Sequence, residues 1–139
     1  MLPNEDDLNA RKSHLVLLLQ MANVDGSYHV NEDKMIRQIA QRLGFSTFQF
    51  EQLKKHPDDV KFTVPQTEDE RIVVLYHLLF LMRIDQVISS AEKELCREMG
   101  FRLGLNPLMI EDMIELMVKH LDEKLPDKAL LETVRRYRN

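Results

Sequence analysis

The chain has little of what stiffens or interrupts a fold, and each scarcity excludes something. A single cysteine, Cys96, leaves no intramolecular disulfide to form, so a reducing compartment, the cytoplasm, is expected. Only 4 glycines and 5 prolines occur among 139 residues, too few for a turn-rich all-β fold or extended disorder. Tryptophan is absent and aromatics make up 6%, whereas Met, with 8 copies, and Leu are plentiful, a balance that favours helices. No apolar run approaches the roughly 20 residues that span a bilayer, the best being Leu15–Leu19, so no membrane insertion is expected. The N-terminal Met1-Leu2-Pro3-Asn4-Glu5-Asp6-Asp7 has neither the basic start nor the apolar stretch of a signal peptide. A net charge of −4 argues against nucleic acid as a partner.

Chemical motifs are also scarce. The five histidines (His14, His29, His56, His77, His120) show no His-x-x-x-His spacing, and there is no Cys-x-x-Cys, so zinc lacks a signature. No phosphate loop, Gly-x-Gly-x-x-Gly or Gly-x-Ser-x-Gly is present, and no nucleophile–base set accompanies Cys96. The chain is therefore expected not to be an enzyme.

What is present is helical punctuation. Asn4 ahead of three acids reads as a helix start, and the apolar pattern runs through Leu8, Leu15, Leu18, Leu19 and Ala22 before failing at Val24-Asp25-Gly26. Met35, Ile36, Ile39, Ala40 and Leu43 repeat at helical spacing, with Gly44 placed to stop that helix. Ser46 with Gln49, and Thr67 with Glu70, read as capping boxes for a third and a fourth helix. Between them, Pro57–Gln66 is the clear break, in which Val60, Phe62 and Val64 alternate as an extended segment would. A fifth helix is expected from about Ala91 to Leu103, a sixth behind Asn106-Pro107 to about Leu121, and a last over about 127–138. The reading is one all-α domain over 1–139 with about seven helices.

Sliding the chain by 60 residues aligns Arg11–Gln52 with Arg71–Asp112 without a gap, and 11 of 42 pairs are identical. Ordinary residue usage would give about three. The matched residues include Leu15/Leu75, Leu18/Leu78, Asp25/Asp85, Glu32/Glu92, Arg37/Arg97, Arg42/Arg102 and Gly44/Gly104. Two copies are too few for a solenoid, so the halves are expected to face each other about a pseudo-two-fold axis, with 57–66 as the link.

The repeated leucines and glycines pack and stop helices. The repeated acids, Asp25 with Glu32 and Asp85 with Glu92, admit two readings. As structure, Ser89 and Glu92 are spaced as a capping box, Asn31 can cap the equivalent helix, and the aspartates can hold turn amides. As a site, the four carboxylates could jointly bind a hard divalent cation, Ca2+ or Mg2+. The Asp-to-Glu spacing matches the fifth and twelfth positions of an EF-hand loop. Met21 and Asn23, then Leu81 and Arg83, fail the earlier ligand positions, which sets that loop aside.

Other candidates read as structure. Met109, Met113 and Met117 form a stripe that could receive a partner helix but reads first as core. Cys96 stands where the first copy has Ile36 and reads as buried and inert. Arg135-Arg136-Tyr137-Arg138 reads as a complement to its own helix dipole, and the repeated arginines as partners of nearby acids.

The duplicated stretch, with Asp25-Gly26, Tyr28, Glu32 and Leu43-Gly44, then Asp85, Ile88, Glu92 and Leu103-Gly104, resembles the TerB-like tellurite-resistance family across about residues 8–116. The resemblance implies an all-helical pseudo-symmetric domain, a link in some members to tellurite and stress responses, a metal site at the acidic motif, and assembly with other proteins rather than catalysis. Gln86 stands where the family usually has Gly. The leading expectation is a cytoplasmic module that binds other proteins or a second copy of itself; the alternative is a divalent-cation-binding protein.

Overall fold

The computed structural model describes residues 5–26 and 28–138, with side chains from residue 6 onward. Seven α-helices occur among the described residues: α1 (Glu5–Asn23), α2 (Val30–Arg42), α3 (Thr47–Lys55), α4 (Glu68–Met82), α5 (Ser90–Arg102), α6 (Pro107–Lys119) and α7 (Ala129–Arg136). One 3-10 turn (Pro57–Asp59) opens the link between α3 and α4. The cap expected at Asn4 lies outside the described residues, as does Ser27.

Local chemistry explains most helix ends. Ser46 accepts from the Gln49 amide and its own amide donates to Gln49 Oε1, closing a capping box on α3. Asn106 caps α6 ahead of Pro107, which loses nothing at the first helical position because its missing N–H would be unpaired there anyway. Thr67 accepts from the Glu70 amide, giving the forward half of the expected box on α4. Gly44 (φ 91°) and Gly104 (φ 77°) take the left-handed conformation that stops α2 and α5.

Asn31 is a correction. The N-cap of α2 is His29, whose amide donates to Glu32 Oε1 at 3.1 Å, and Asn31 lies exposed within the first turn. Histidine is outside the usual capping set, so the local signal favoured its polar neighbour.

The core is one continuous cluster to which every helix contributes. At its centre α1 packs on α4, burying Leu15, Leu18, Leu75, Leu78 and Leu79 completely. Each such leucine is worth about 1.5–3 kcal/mol in transfer terms, so this pair of helices organises the rest. The Met109–Met113–Met117 stripe is buried in this core, as expected, and so is Cys96, whose thiol burial pushes up to about 12. Equivalent environments recur at a spacing of 60 residues: position for position, 31–40 and 91–100 show the same pattern of buried and exposed side chains.

The ion pairs repeat in the same way. Arg37 bonds Glu51 at 2.5 Å, and Arg97 bonds Glu111 at 2.8 Å. Arg102 departs from the expected pairing with an acid: its guanidinium lies 4.0 Å from the centre of the Phe62 ring. That contact pins the 57–66 segment against α5, and the Thr63 amide donating to buried Ser13 pins it against α1. The basic C-terminal end of α7 does more than complement a dipole. Arg138 pairs with Glu68 and Asp69 at the start of α4, while Tyr137 donates to Asp112 on α6.

Candidate metal centre

Each half presents its acids in the same local frame. Asp25 lies in the turn after α1, and Asp85 in the turn after α4. Those turns reverse through a left-handed residue, Gly26 at φ 81° and Gln86 at φ 61°. Gln86 thus adopts the conformation for which glycine is the favoured residue. Glu32 and Glu92 follow at the third position of α2 and α5, where the helix N-terminus favours negative charge. Tyr28 and Ile88, in matching positions, are half-buried against the core and fix how each turn enters its helix.

Both glutamates serve in caps. Glu32 Oε1 accepts from the His29 amide, and Glu92 Oε1 accepts from the Ser89 amide at 2.8 Å. The structural reading of these residues is therefore real, and at Glu92 it also draws in the Ser89 side chain. A carboxylate has a second oxygen and several acceptor sites, so capping leaves donor capacity over.

The two halves bring their acids together. Glu32 and Glu92 are only 4% and 7% exposed, which is unusual for glutamate. Burial holds the Glu32 carboxyl above its ordinary range, and the negative charges of Asp85, from the other half, and Asp25 push it further the same way. Glu92 is raised for the same reasons, first by burial and then by Asp25 and Asp85. Both glutamates thus pay for desolvation and for like charge at once.

One ligand atom from each of His29, Glu32 and Asp85 lies within 4.8 Å of the others. This trio joins the first half to the second. Two of its members, Glu32 and Asp85, are acids expected from the repeat, whereas Asp25 and Glu92 adjoin it electrostatically. His29 was missed by sequence reasoning because no spacing rule connects it to a residue 56 positions away. The available signal was its place three residues before Glu32, matching Ser89 before Glu92.

The fold is thus a helical bundle with an acidic centre between repeat-related helix starts. The family described as tellurite resistance protein TerB matches residues 4–55 of the chain, which carry the first copy of the acidic motif, so this segment is TerB-like. No curated protein and no solved structure matches the chain significantly. Among the described residues no helix is long and apolar enough to cross a membrane.

Proposed function

We propose that the protein is a non-enzymatic, TerB-like binder of a divalent cation, held between its halves by Asp25, Glu32, Asp85 and Glu92 with His29 as a nitrogen donor. The observation that carries this reading is the meeting of Glu32 with Asp85 across the halves, where a buried carboxylate faces the charge of exposed aspartates. A cation there would offset the desolvation and the repulsion together.

The donor set fits such an ion. Carboxylate oxygens suit Ca2+, Mg2+ and Mn2+, and one imidazole widens the range to Zn2+. When bound, the ion would supply positive charge that ties the turn after α4 to the start of α2. A place in tellurite resistance is supported by the family description alone. The other role expected from the sequence, binding other proteins, is supported by a separate surface on the first half.

Calorimetric titration of chelator-treated protein with Ca2+, Mg2+, Mn2+ and Zn2+ tests the reading. Micromolar binding by at least one ion is expected, lost in the Asp25→Asn/Asp85→Asn double variant with an unchanged helical CD signal. Absence of heat for all four ions would return the acids to caps and turns. His29→Gln should weaken Zn2+ more than Ca2+, because only the former favours imidazole nitrogen.

A further inference from the structure

A groove of about 480 Å³ opens on the first half, between the start of α1, the exposed side of α3 and the Pro57–Lys61 segment. Half-buried Leu8 and Val60 form its apolar lining, over Phe45 and Leu53 of the core. Phe48 stands at its rim, 72% exposed, as its counterpart Leu108 is in the second half at 67%.

The second half shows what covers the related surface. Counting 60 residues on, Leu8, Asn9, Phe45, Gln49 and Gln52 become Glu68, Asp69, Leu105, Met109 and Asp112. Against those residues lie Arg136, Tyr137 and Arg138, at and just past the end of α7. Tyr137 and Arg138 line a cleft with Glu68, Leu105 and Met109, and α7 packs on α6 through buried Thr133 and Val134. The position is thus partly filled by the chain's own C-terminal end in the second half, beside a cleft of about 450 Å³, and open in the first.

Charge decides which helix the open groove fits. In the second half three acids, Glu68, Asp69 and Asp112, hold the basic end of α7 through Arg138 and Arg136. In the first half those three positions are Leu8, Asn9 and Gln52, and the groove instead carries Lys12, Lys61 and His56 against one carboxylate, Asp59. The sign is reversed. A second copy's α7, ending in Arg135, Arg136 and Arg138, would bring like charge to the lysines.

We propose that this groove docks an amphipathic helix of another protein, one that presents apolar side chains at helical spacing flanked by carboxylates. The apolar stripe would seat on Leu8 and Val60 beside Phe48, and the flanking acids would meet Lys12 and Lys61. Apolar burial supplies affinity here, and the lysines supply orientation and selection against basic helices. The groove shares no residue with the acidic centre, so the proposal stands apart from cation binding.

The test uses a fluorescein-labelled amphipathic peptide of about 18 residues, long enough to hold a helix, with leucines at i, i+3, i+4 and i+7 and glutamates flanking them. Two competitors are a version with lysine for every glutamate and a peptide of residues 126–138 of this chain. The acidic peptide should bind the full chain by anisotropy at least about tenfold tighter than either competitor. Phe48→Ser and Lys61→Glu should each weaken it at least about fivefold, with helical CD unchanged because both residues are exposed. Equal binding of acidic and basic peptides, or binding unmoved by these variants, would overturn the proposal. Tighter binding of the 126–138 peptide would overturn it in favour of a second copy.

Discussion

Gln86, like Lys128, takes a left-handed backbone without being glycine. At φ 61° it holds the left-handed conformation that Gly26 holds in the first half at φ 81°. A Cβ in that region meets the following carbonyl, at a cost of about 1–2 kcal/mol, which glycine escapes. Part of the gain from Gln86→Gly is returned as unfolded-state entropy. The expected outcome is a rise in stability of up to about 1 kcal/mol, read from the urea midpoint. A fall would mean that the glutamine side chain holds something worth more than the strain. The turn is the same in both halves although its residue differs, so the position of Asp85 is set by backbone geometry and not by a glycine that the sequence happens to lack.

Between elements, the contact that titrates is buried where α1 meets α4. His14 Nε2 and His77 Nδ1 are 2.9 Å apart and their rings stack at 5.0 Å. One nitrogen must donate and the other accept, so both rings cannot be protonated while the bond stands, and burial favours the neutral form of each. Burial, and then the charge of its neighbour, lowers His14 to about 3, and burial with nearby Arg42 lowers His77. With folded values below the unfolded 6.5, the unfolded chain takes up protons first, so stability is present above about pH 6.5 and lost as pH falls below it. For His14 alone the loss between pH 7.5 and 5 is about 2 kcal/mol. Urea midpoints at those two pH values should differ markedly in the native protein and much less in His14→Gln. An equal difference in both would place the acid sensitivity elsewhere.

Neither histidine announced this role, since His14 and His77 are not equivalent under the 60-residue shift. The helices themselves were legible because their signals are local: Ser46 with Gln49, Ser89 with Glu92, Asn106 before Pro107, and glycines at 44 and 104 each act within one turn. His29 as the cap of α2 was not legible, because histidine is an uncommon cap and Asn31 offered a commoner one two residues on. The repeat pointed to the four acids. That Glu32 lies against Asp85 depends on how the ends of α1, α2, α4 and α5 pack, which no spacing encodes.

At the scale of the whole molecule, the acidic centre ties the stability of one half to the other. In the cation-free protein, Glu32 is held above its ordinary pKa by burial and by Asp85 and Asp25, so its ionisation at neutral pH works against folding. A bound cation would reverse that sign, because it would favour the folded arrangement over the separated acids. Glu32→Gln keeps an oxygen for the His29 amide and removes the opposed charge. Chelator-treated Glu32→Gln should therefore melt at or above the native protein's temperature. At a cation concentration about 100 times the Kd, the native protein should gain about 2.7 kcal/mol and the variant little. A plain capping role predicts one ordering with or without the ion. A binding role predicts that the ordering inverts when the ion is added, and a thermal melt of both proteins in chelator and in saturating ion separates the two.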